Sequence, residues 1–240
     1  MEIMLEILFV GFLIGLQHAL EIDHVAAVVS MVNGQKSRLA IMKHGFAWGI
    51  GHATTLLVVS LAIVATGQAI NESVAEWLEF AVGLMLIGLG IHVFWRIRRD
   101  RIHIHVHQHD DLQQHLHFHS HENDTVPHPQ SVHQHDHAGL PLRSLAVGTM
   151  HGMAGSAALV AVVAASFGNF ISALMYITIF GLGSILGMVL FSTVISVPLA
   201  WSARTLTVTN MAVQSAIGIF TASIGLMLAY ETKLHLIFAA

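Results

Sequence analysis

Six long apolar runs constrain the fold of this chain more than any other feature of its sequence. About 20 apolar residues, rising 1.5 Å each along a helix, cross roughly 30 Å of hydrocarbon. The chain is 55 % apolar and only 10 % charged, whereas soluble domains average about 45–50 % and about 25 %. The sequence therefore predicts an all-α integral membrane protein of six transmembrane helices. The predicted spans are residues 3–31, 39–66, 77–95, 142–167, 170–201 and 211–230.

The positive charges predict which way these helices face. Six spans place both termini on one side of the membrane, and nine of the ten Lys and Arg residues fall on the other. The nine are Lys36, Arg38, Lys43, Arg96, Arg98, Arg99, Arg101, Arg143 and Arg204. Because cytoplasmic loops carry the excess of Lys and Arg, we expect both termini outside and the protein in the cytoplasmic membrane. The acidic start of the chain lacks the cationic region of a signal peptide, so the first span is expected to be retained.

A repeat of three helices is the second pattern in the sequence. Similar residues recur at offsets of 133, 136 and 135, which pair His18 with His151, Gly51 with Gly187 and Gly83 with Gly218. An odd number of helices per repeat inverts the second copy, as in many secondary transporters with a midplane substrate site. The predicted division is a first repeat over residues 1–98, a loop over 99–140 and a second, inverted repeat over 141–240. The alternative is that Gly- and Ala-rich membrane helices resemble one another by composition.

Ionisable residues are concentrated in the first predicted span, where His18, Glu21, Asp23 and His24 lie within seven residues. A carboxylate at the bilayer centre costs roughly 2.5–3.5 kcal/mol, so a chain keeps one where it is paired or functional. On an unbroken helix, His18 and Asp23 would point about 140° apart. Either the helix therefore unwinds here, or a neighbouring helix completes a metal or proton site. Glu21 either binds metal itself or orients a histidine.

Further candidate metal ligands lie on the second and fourth predicted spans. His44 and His52 are eight residues apart, which places them about 80° apart in projection and on a similar face. His151 is a candidate on the fourth span, with Ser156 as a secondary one. Imidazole with carboxylate suits nickel, cobalt, zinc or divalent copper, and the lack of Cys removes thiolate sites. A lone intramembrane histidine such as His92 is instead expected to form a helix–helix hydrogen bond.

The stretch His18-Ala-Leu-Glu-Ile-Asp23-His24 has the His-x4-Asp-His pattern and resembles the nickel/cobalt transporter family. The Gly51-His52 pair in the following span is similar to that family's second motif. This resemblance implies transport of divalent nickel or cobalt, mostly inward, with His18, Asp23, His24 and His52 needed for it. Typical members have eight spans, however, and residues 148–156 depart from the family's second-half motif. That stretch looks closer to the short permeases found alongside urease and hydrogenase maturation genes.

A histidine-rich loop joins the two predicted repeats, with 12 of the chain's 19 histidines in residues 100–139. Its low apolar content, together with Pro127 and Pro129, predicts a linker that is disordered without metal. His-rich tracts of this kind bind metal, so we expect the loop to buffer metal and to offer a docking point for a cytosolic metallochaperone. A plain polar tether is the alternative. The alternating histidines are His103, His105, His107, His109, His115, His117, His119, His121, His133, His135 and His137.

The sequence favours a secondary transporter over an enzyme. It contains no Gly-x4-Gly-Lys-Ser/Thr phosphate loop and no His-Glu-x-x-His zinc-protease motif, and residues 154–157 match a rhomboid-type nucleophile poorly. The membrane potential is worth about 4.6 kcal/mol per 100 mV for a divalent ion entering a negative interior. This favours uptake of Ni²⁺ or Co²⁺ as the substrate, with no permanently bound cofactor. The alternatives are export by proton antiport and a membrane-tethered metal reservoir that does not transport.

The expected partners are the metal ion and membrane lipid. Nucleic acid is not expected as a partner, because proteins that bind it carry a basic face and this chain has a formal net charge of −4. The oligomeric state stays open, since small residues such as Gly83, Gly88 and Gly90 can pack within a chain or between chains.

Overall fold

The computed structural model describes residues 2–33, 37–67, 71–99, 102–108, 114–120, 141–153, 156–205 and 207–234. The helices are α1 (Glu2–His18), α2 (Ile22–Val32), α3 (Arg38–Thr66), α4 (Glu72–Arg99), α5 (Leu142–His151), α6 (Ser156–Ala165), α7 (Phe170–Thr205) and α8 (Thr207–Ala229). A π-helical turn, Tyr230–Leu234, follows α8 directly. Two strands, β1 (Ile102–Gln108) and β2 (Gln114–Ser120), lie between the two sets of helices.

Four of the described helices, α3, α4, α7 and α8, are long and apolar enough to cross a membrane. Helices α1 and α2 together make a fifth span if the pair is counted as one, bent by 57° at its break. The fourth predicted span, residues 142–167, contains the two ten-residue helices α5 and α6. The described residues therefore contain four or five candidate spans, compared with the six that the sequence predicts.

Large apolar side chains are exposed along these helices, which fits contact with lipid. A patch of this extent on a soluble protein would be an interaction or aggregation surface. Together with the span lengths, this surface is compatible with an integral membrane protein. Examples are Leu5, Phe9, Val58, Leu84, Val162, Leu190 and Val194, each between 49 % and 69 % exposed.

Glycine lets α1 pack closely on α7, and α5 on α3, in parallel pairs. A Cβ at Gly15 of α1 would lie 2.1 Å from the carbonyl oxygen of Phe180 on α7. A Cβ at Gly148 of α5 would lie 2.1 Å from the carbonyl oxygen of Trp48 on α3. Either side chain would overlap backbone, so only glycine allows these two approaches. The two contacts occur at repeat-equivalent positions, since 15 and 148 differ by the same 133 residues as the paired histidines.

Helices α4 and α8 pack in antiparallel fashion through two glycine pairs. A Cβ at Gly83 would lie 2.8 Å from the carbonyl oxygen of Gly225, and one at Gly90 would lie 2.7 Å from that of Gly218. Gly83 and Gly90 therefore pack within the chain. Gly88, by contrast, has nothing within 4 Å of an added Cβ among the described residues.

The helix directions define two sides of the molecule. Helices α2 and α4 run parallel, because Ser30 donates to the carbonyl oxygen of Leu89 and Arg96 donates to that of Asn33 one or two turns further on. We call the side at which α1 begins and α8 ends the termini side. The opposite side, where α4 ends in Arg96, Arg98 and Arg99 and where α5 begins, is the cationic side.

The loop between the helical sets contains an antiparallel hairpin in the structure. Strands β1 and β2 pair in a register that sets His103 opposite His119, His105 opposite His117 and His107 opposite His115. The sequence predicts a disordered linker here, whereas the structure has two strands. The reason is that histidine alternates with Ile, Val, Leu or Phe, which is the period-two pattern of a strand. His109, His121, His133, His135 and His137 lie outside the described residues.

Candidate metal centre

The first span breaks where its ionisable residues are concentrated. Helix α1 ends at His18 and α2 begins at Ile22, with Glu21 in an extended conformation at the start of α2. The turn between them is closed by two backbone bonds, Leu20 N–H to Gln17 O at 2.8 Å and Glu21 N–H to His18 O at 3.0 Å. Because the helix is broken between them, the separation of about 140° expected on an unbroken helix does not apply to His18 and Asp23. Both predicted routes to a site occur, because neighbouring helices also contribute.

Asp23 lies at the centre of a hydrogen-bonded group that joins α2 to α5. Its Oδ1 accepts from the backbone N–H of His24 at 2.8 Å and lies 2.9 Å from His24 Nδ1. Its Oδ2 lies 3.0 Å from His151 Nε2. The carboxylate is in the first turn of α2, where the helix dipole favours negative charge. Asp23 therefore orients two imidazoles from opposite halves of the chain.

His52 of α3 completes a buried group of four imidazoles. The ring centroids of His18 and His24 are 4.4 Å apart, those of His24 and His151 4.2 Å, and those of His24 and His52 5.0 Å. All four histidines are at most 5 % exposed. The indole of Trp48, one turn before His52, packs 5.4 Å from the His24 ring and 5.8 Å from the His151 ring. Trp48 thus forms one wall of the cluster.

Several ring nitrogens in this cluster lack hydrogen-bond partners among the described residues. They are His18 Nε2, His24 Nε2, His151 Nδ1 and both nitrogens of His52. Leaving a buried polar atom unsatisfied costs about 1–3 kcal/mol, so this arrangement is one that a bound ion would stabilise. Two groups have one ligand atom from each residue within 4.8 Å of one another, namely His18 with His24 and His52, and Asp23 with His24 and His151. His24 belongs to both groups.

The structure places two other predicted residues, His44 and Glu21, away from this cluster or at its edge. His44 lies about two turns before His52, and its Nδ1 is 2.6 Å from the Ser144 hydroxyl. Glu21 is exposed and its Oε1 lies 2.8 Å from His18 Nδ1, so it holds a histidine ring rather than joining either ligand group. The side chain of Ser156 lies outside the described residues.

The second half of the chain also breaks directly after a histidine. Helix α5 ends at His151 and α6 begins at Ser156. The backbone N–H of Gly152 still bonds to Gly148 O, and that of Met153 to Met150 O. A Cβ at Gly152 would lie 2.4 Å from the carbonyl oxygen of His52. Glycine here therefore lets the end of α5 approach α3 closely enough to place His151 in the cluster.

A cavity of about 930 Å³ extends from the cluster toward the termini side. His18, Asp23, His24 and His151 lie in its wall. Other wall residues lie on the termini-side parts of α4, α7 and α8, including Glu79, Tyr176 and Leu228. On the cationic side, buried apolar residues pack against one another. They include Val28, Val32, Ile41, Leu89, Val147 and Met188.

Glu79 is a cavity residue that sequence reasoning missed. It is half-buried on α4, in the same cavity wall as Glu21 and Asp23. An acidic residue within a predicted apolar span is a signal in its own right, because carboxylates inside membranes are costly. Position 79 carries that signal, but the only carboxylates considered were those in the denser group of ionisable residues in the first span.

The apolar helices are compatible with an integral membrane protein, and they enclose a His/Asp cluster that could hold a metal ion. The chain is 33 % identical to the urease accessory protein UreH of Bacillus sp. (strain TB-90) over 212 residues, which are 88 % of this chain and 85 % of that protein. It therefore belongs to the family of that protein. No family model matches the chain, and no solved structure matches it.

Proposed function

We propose that this chain is a secondary membrane transporter of a divalent transition metal, nickel or cobalt, with uptake as its direction. The observation that carries the proposal is the cluster of four buried histidines, His18, His24, His52 and His151, around Asp23, with ring nitrogens that lack partners among the described residues. Imidazole and carboxylate are ligands that nickel and cobalt accept. A reservoir confined to the loop would leave this cluster without a role.

The relationship to a urease accessory protein supports nickel as a substrate. Urease is a nickel enzyme, so an accessory protein with an internal metal-ligand cluster fits the supply of nickel to the cell. Cobalt remains an equal candidate on ligand chemistry alone, since the two ions are neighbours in the affinity order. The metal is the cargo in this proposal, and we assign no permanently bound cofactor and no enzymatic reaction.

Two inverted three-helix repeats, residues 1–98 and 141–240, are part of the proposal. Two breaks directly after a histidine support it, as do the equivalent close contacts at Gly15 and Gly148. The α4–α8 contacts support it further. Adding the offset of 135 to Gly83 and Gly90 gives Gly218 and Gly225, so the Gly83–Gly225 contact maps onto the Gly90–Gly218 contact. A two-fold axis between α4 and α8 would produce this exchange, and transporters place the substrate at such an interface.

The orientation follows from the charges, with the termini side outside and the cationic side in the cytoplasm. The cavity then extends from the cluster toward the outside, and the apolar residues packed on the cationic side lie between the cluster and the cytoplasm. This corresponds to the outward-open half of an alternating-access cycle, from which the membrane potential favours inward movement of a divalent ion. The histidine-rich loop would receive the ion on the cytoplasmic side, buffer it and offer it to a metallochaperone.

Metal flux into proteoliposomes tests this function directly. The purified protein is reconstituted, and uptake of radioactive Ni²⁺ and Co²⁺ is followed with and without an imposed potential or pH gradient. We expect accumulation that is driven by an interior-negative potential. Flux that requires a proton gradient running against the metal would instead identify an exporter. Metal binding with no flux above that of protein-free vesicles would identify a reservoir.

A further inference from the structure

We infer that Glu79 is the entry ligand of the transport path, a carboxylate that captures the divalent cation from the termini side and passes it to the His18–His24–Asp23 cluster. This inference rests on the proposed function and adds to it a residue on a helix that contributes nothing to either ligand group. The ligand class is a hydrated divalent transition-metal cation.

The position of Glu79 supports this role. It lies on α4, about two turns after that helix begins at Glu72. It is half-buried in the wall of the same cavity as His18, Asp23 and His24. The same wall contains apolar residues such as Val82 and Leu228 and two further carboxylates, Glu21 and Asp23. Because α4 begins on the termini side, Glu79 lies in the part of that helix nearer this side, and in the proposed path an ion entering there meets this carboxylate on its way to the buried imidazoles.

The buried imidazoles provide the independent sign that the cavity holds a ligand. His18 and His24 are 5 % and 1 % exposed, and both line the cavity. The Nε2 atom of each has no partner among the described residues. Both rings are held from their Nδ1 side, His18 by Glu21 at 2.8 Å and His24 by Asp23 at 2.9 Å. With Nδ1 engaged in each ring, Nε2 is the nitrogen left to bind an incoming ion.

The chemistry of the two donor types explains why a carboxylate would come first. Divalent ions arrive hydrated. When a carboxylate oxygen replaces one of the waters, the ion is still surrounded by oxygen ligands. Imidazole is the softer ligand and selects nickel or cobalt over magnesium or calcium. A cleft of one charge sign with low-dielectric walls also raises the local concentration of counter-ions. Glu79 would thus determine how readily the cation is captured, while the imidazoles of the cluster would determine which metal is bound.

Nickel uptake kinetics of Glu79→Gln in proteoliposomes test this inference. Loss of the capture charge should raise KM for Ni²⁺ about tenfold, within the range expected for electrostatic focusing, with little change in maximal rate. Glu79→Asp keeps the charge and should restore KM. The matched control is Glu6→Gln, which removes the same charge from an exposed site on α1, about two turns before Ile14 in the cavity wall.

The outcomes separate this inference from the proposed function. No nickel flux by the unaltered protein overturns the transporter itself. Flux by the unaltered protein together with an unchanged KM in Glu79→Gln overturns the role of Glu79 alone. A changed pH profile with unchanged KM also overturns it, because the residue would then act as a proton carrier.

A chemical-rescue variant covers the case in which Glu79→Gln does not fold. The chain contains no cysteine, so Glu79→Cys carries a single thiol. Modification with a negatively charged methanethiosulfonate should lower KM, whereas a neutral reagent of similar size should not. Equal KM values with the two reagents would contradict the inference.

Discussion

His151 Nε2 lies 3.0 Å from Asp23 Oδ2, which joins two helix breaks 128 residues apart in sequence. His151 ends α5 and Asp23 lies in the first turn of α2, so the contact links the two halves of the molecule at the cluster itself. A carboxylate between two imidazoles fixes the orientation of both rings and raises their basicity toward a metal. In the proposed alternating-access cycle, movement of one half relative to the other would change this contact.

Asp23→Asn should abolish most metal uptake while the protein still reaches the membrane. The amide keeps the shape but removes the charge that orients His24 and His151, and loss of such a group costs about 10–100-fold in metal affinity or activity. Nickel flux in proteoliposomes, with Glu6→Gln as the charge-loss control, measures the effect. Normal flux in Asp23→Asn would mean that the cluster is not on the transport path.

Two histidines on α3 form a matched pair for testing the site. His52→Ala removes two buried nitrogens of the cluster, so metal binding should fall about tenfold or more. His44→Ala breaks a contact with Ser144 outside the cluster and should leave binding nearly unchanged. Equilibrium nickel binding to purified protein in which residues 103–137 have been deleted measures both variants without interference from the loop. Equal losses in the two variants would contradict the assignment of the cluster.

Cysteine accessibility should reveal which side the cavity faces. Val163→Cys places a thiol in the cavity wall, at a position 43 % exposed, in a chain that otherwise has no cysteine. A membrane-impermeant thiol reagent added outside intact cells should label it. Met188→Cys, at a fully buried position in the apolar core, should stay unlabelled. Labelling of Val163→Cys only from the cytoplasmic side would reverse the proposed orientation.

Two glycines on α4 should differ sharply in their tolerance of alanine. Gly90→Ala would bring its Cβ to 2.7 Å from the carbonyl oxygen of Gly218, whereas a Cβ at Gly88 meets none of the described residues within 4 Å. Overpacking of this kind costs about 1–3 kcal/mol, so Gly90→Ala should lower the thermal unfolding midpoint in detergent. Gly88→Ala should not lower it. Equal midpoints would indicate that α4 and α8 are not held at this distance.

Deletion of residues 103–137 should separate buffering from transport. Metal flux in proteoliposomes should remain largely intact, because the cluster lies outside the loop. The number of metal ions bound per chain, measured at equilibrium, should fall. Loss of flux together with binding would support a reservoir in place of a transporter.

Much of the candidate site could be predicted from the sequence, because insertion into a membrane makes charged residues rare and therefore conspicuous. His18, Asp23, His24, His52 and His151 were all predicted, and the structure brings them together. Their metal-binding role stays a prediction. His44 was grouped with them because helical periodicity gives its angle around α3 but not its depth along the cluster. Glu79 was missed because its place in the cavity wall depends on how α4 packs against α8 and α2, which no local pattern contains.

The sequence alone determined that most of this chain is apolar helix, where its buried ionisable groups lie and which residues carry positive charge. These properties depend on composition and on short periodicities, so they can be derived residue by residue. Only the tertiary structure decided that α1 stops at His18, that α5 stops at His151 and that α3 brings His52 between them. A helix break depends on close packing at distant positions such as Gly152 against His52. Contacts of that kind exist only once the whole chain has folded.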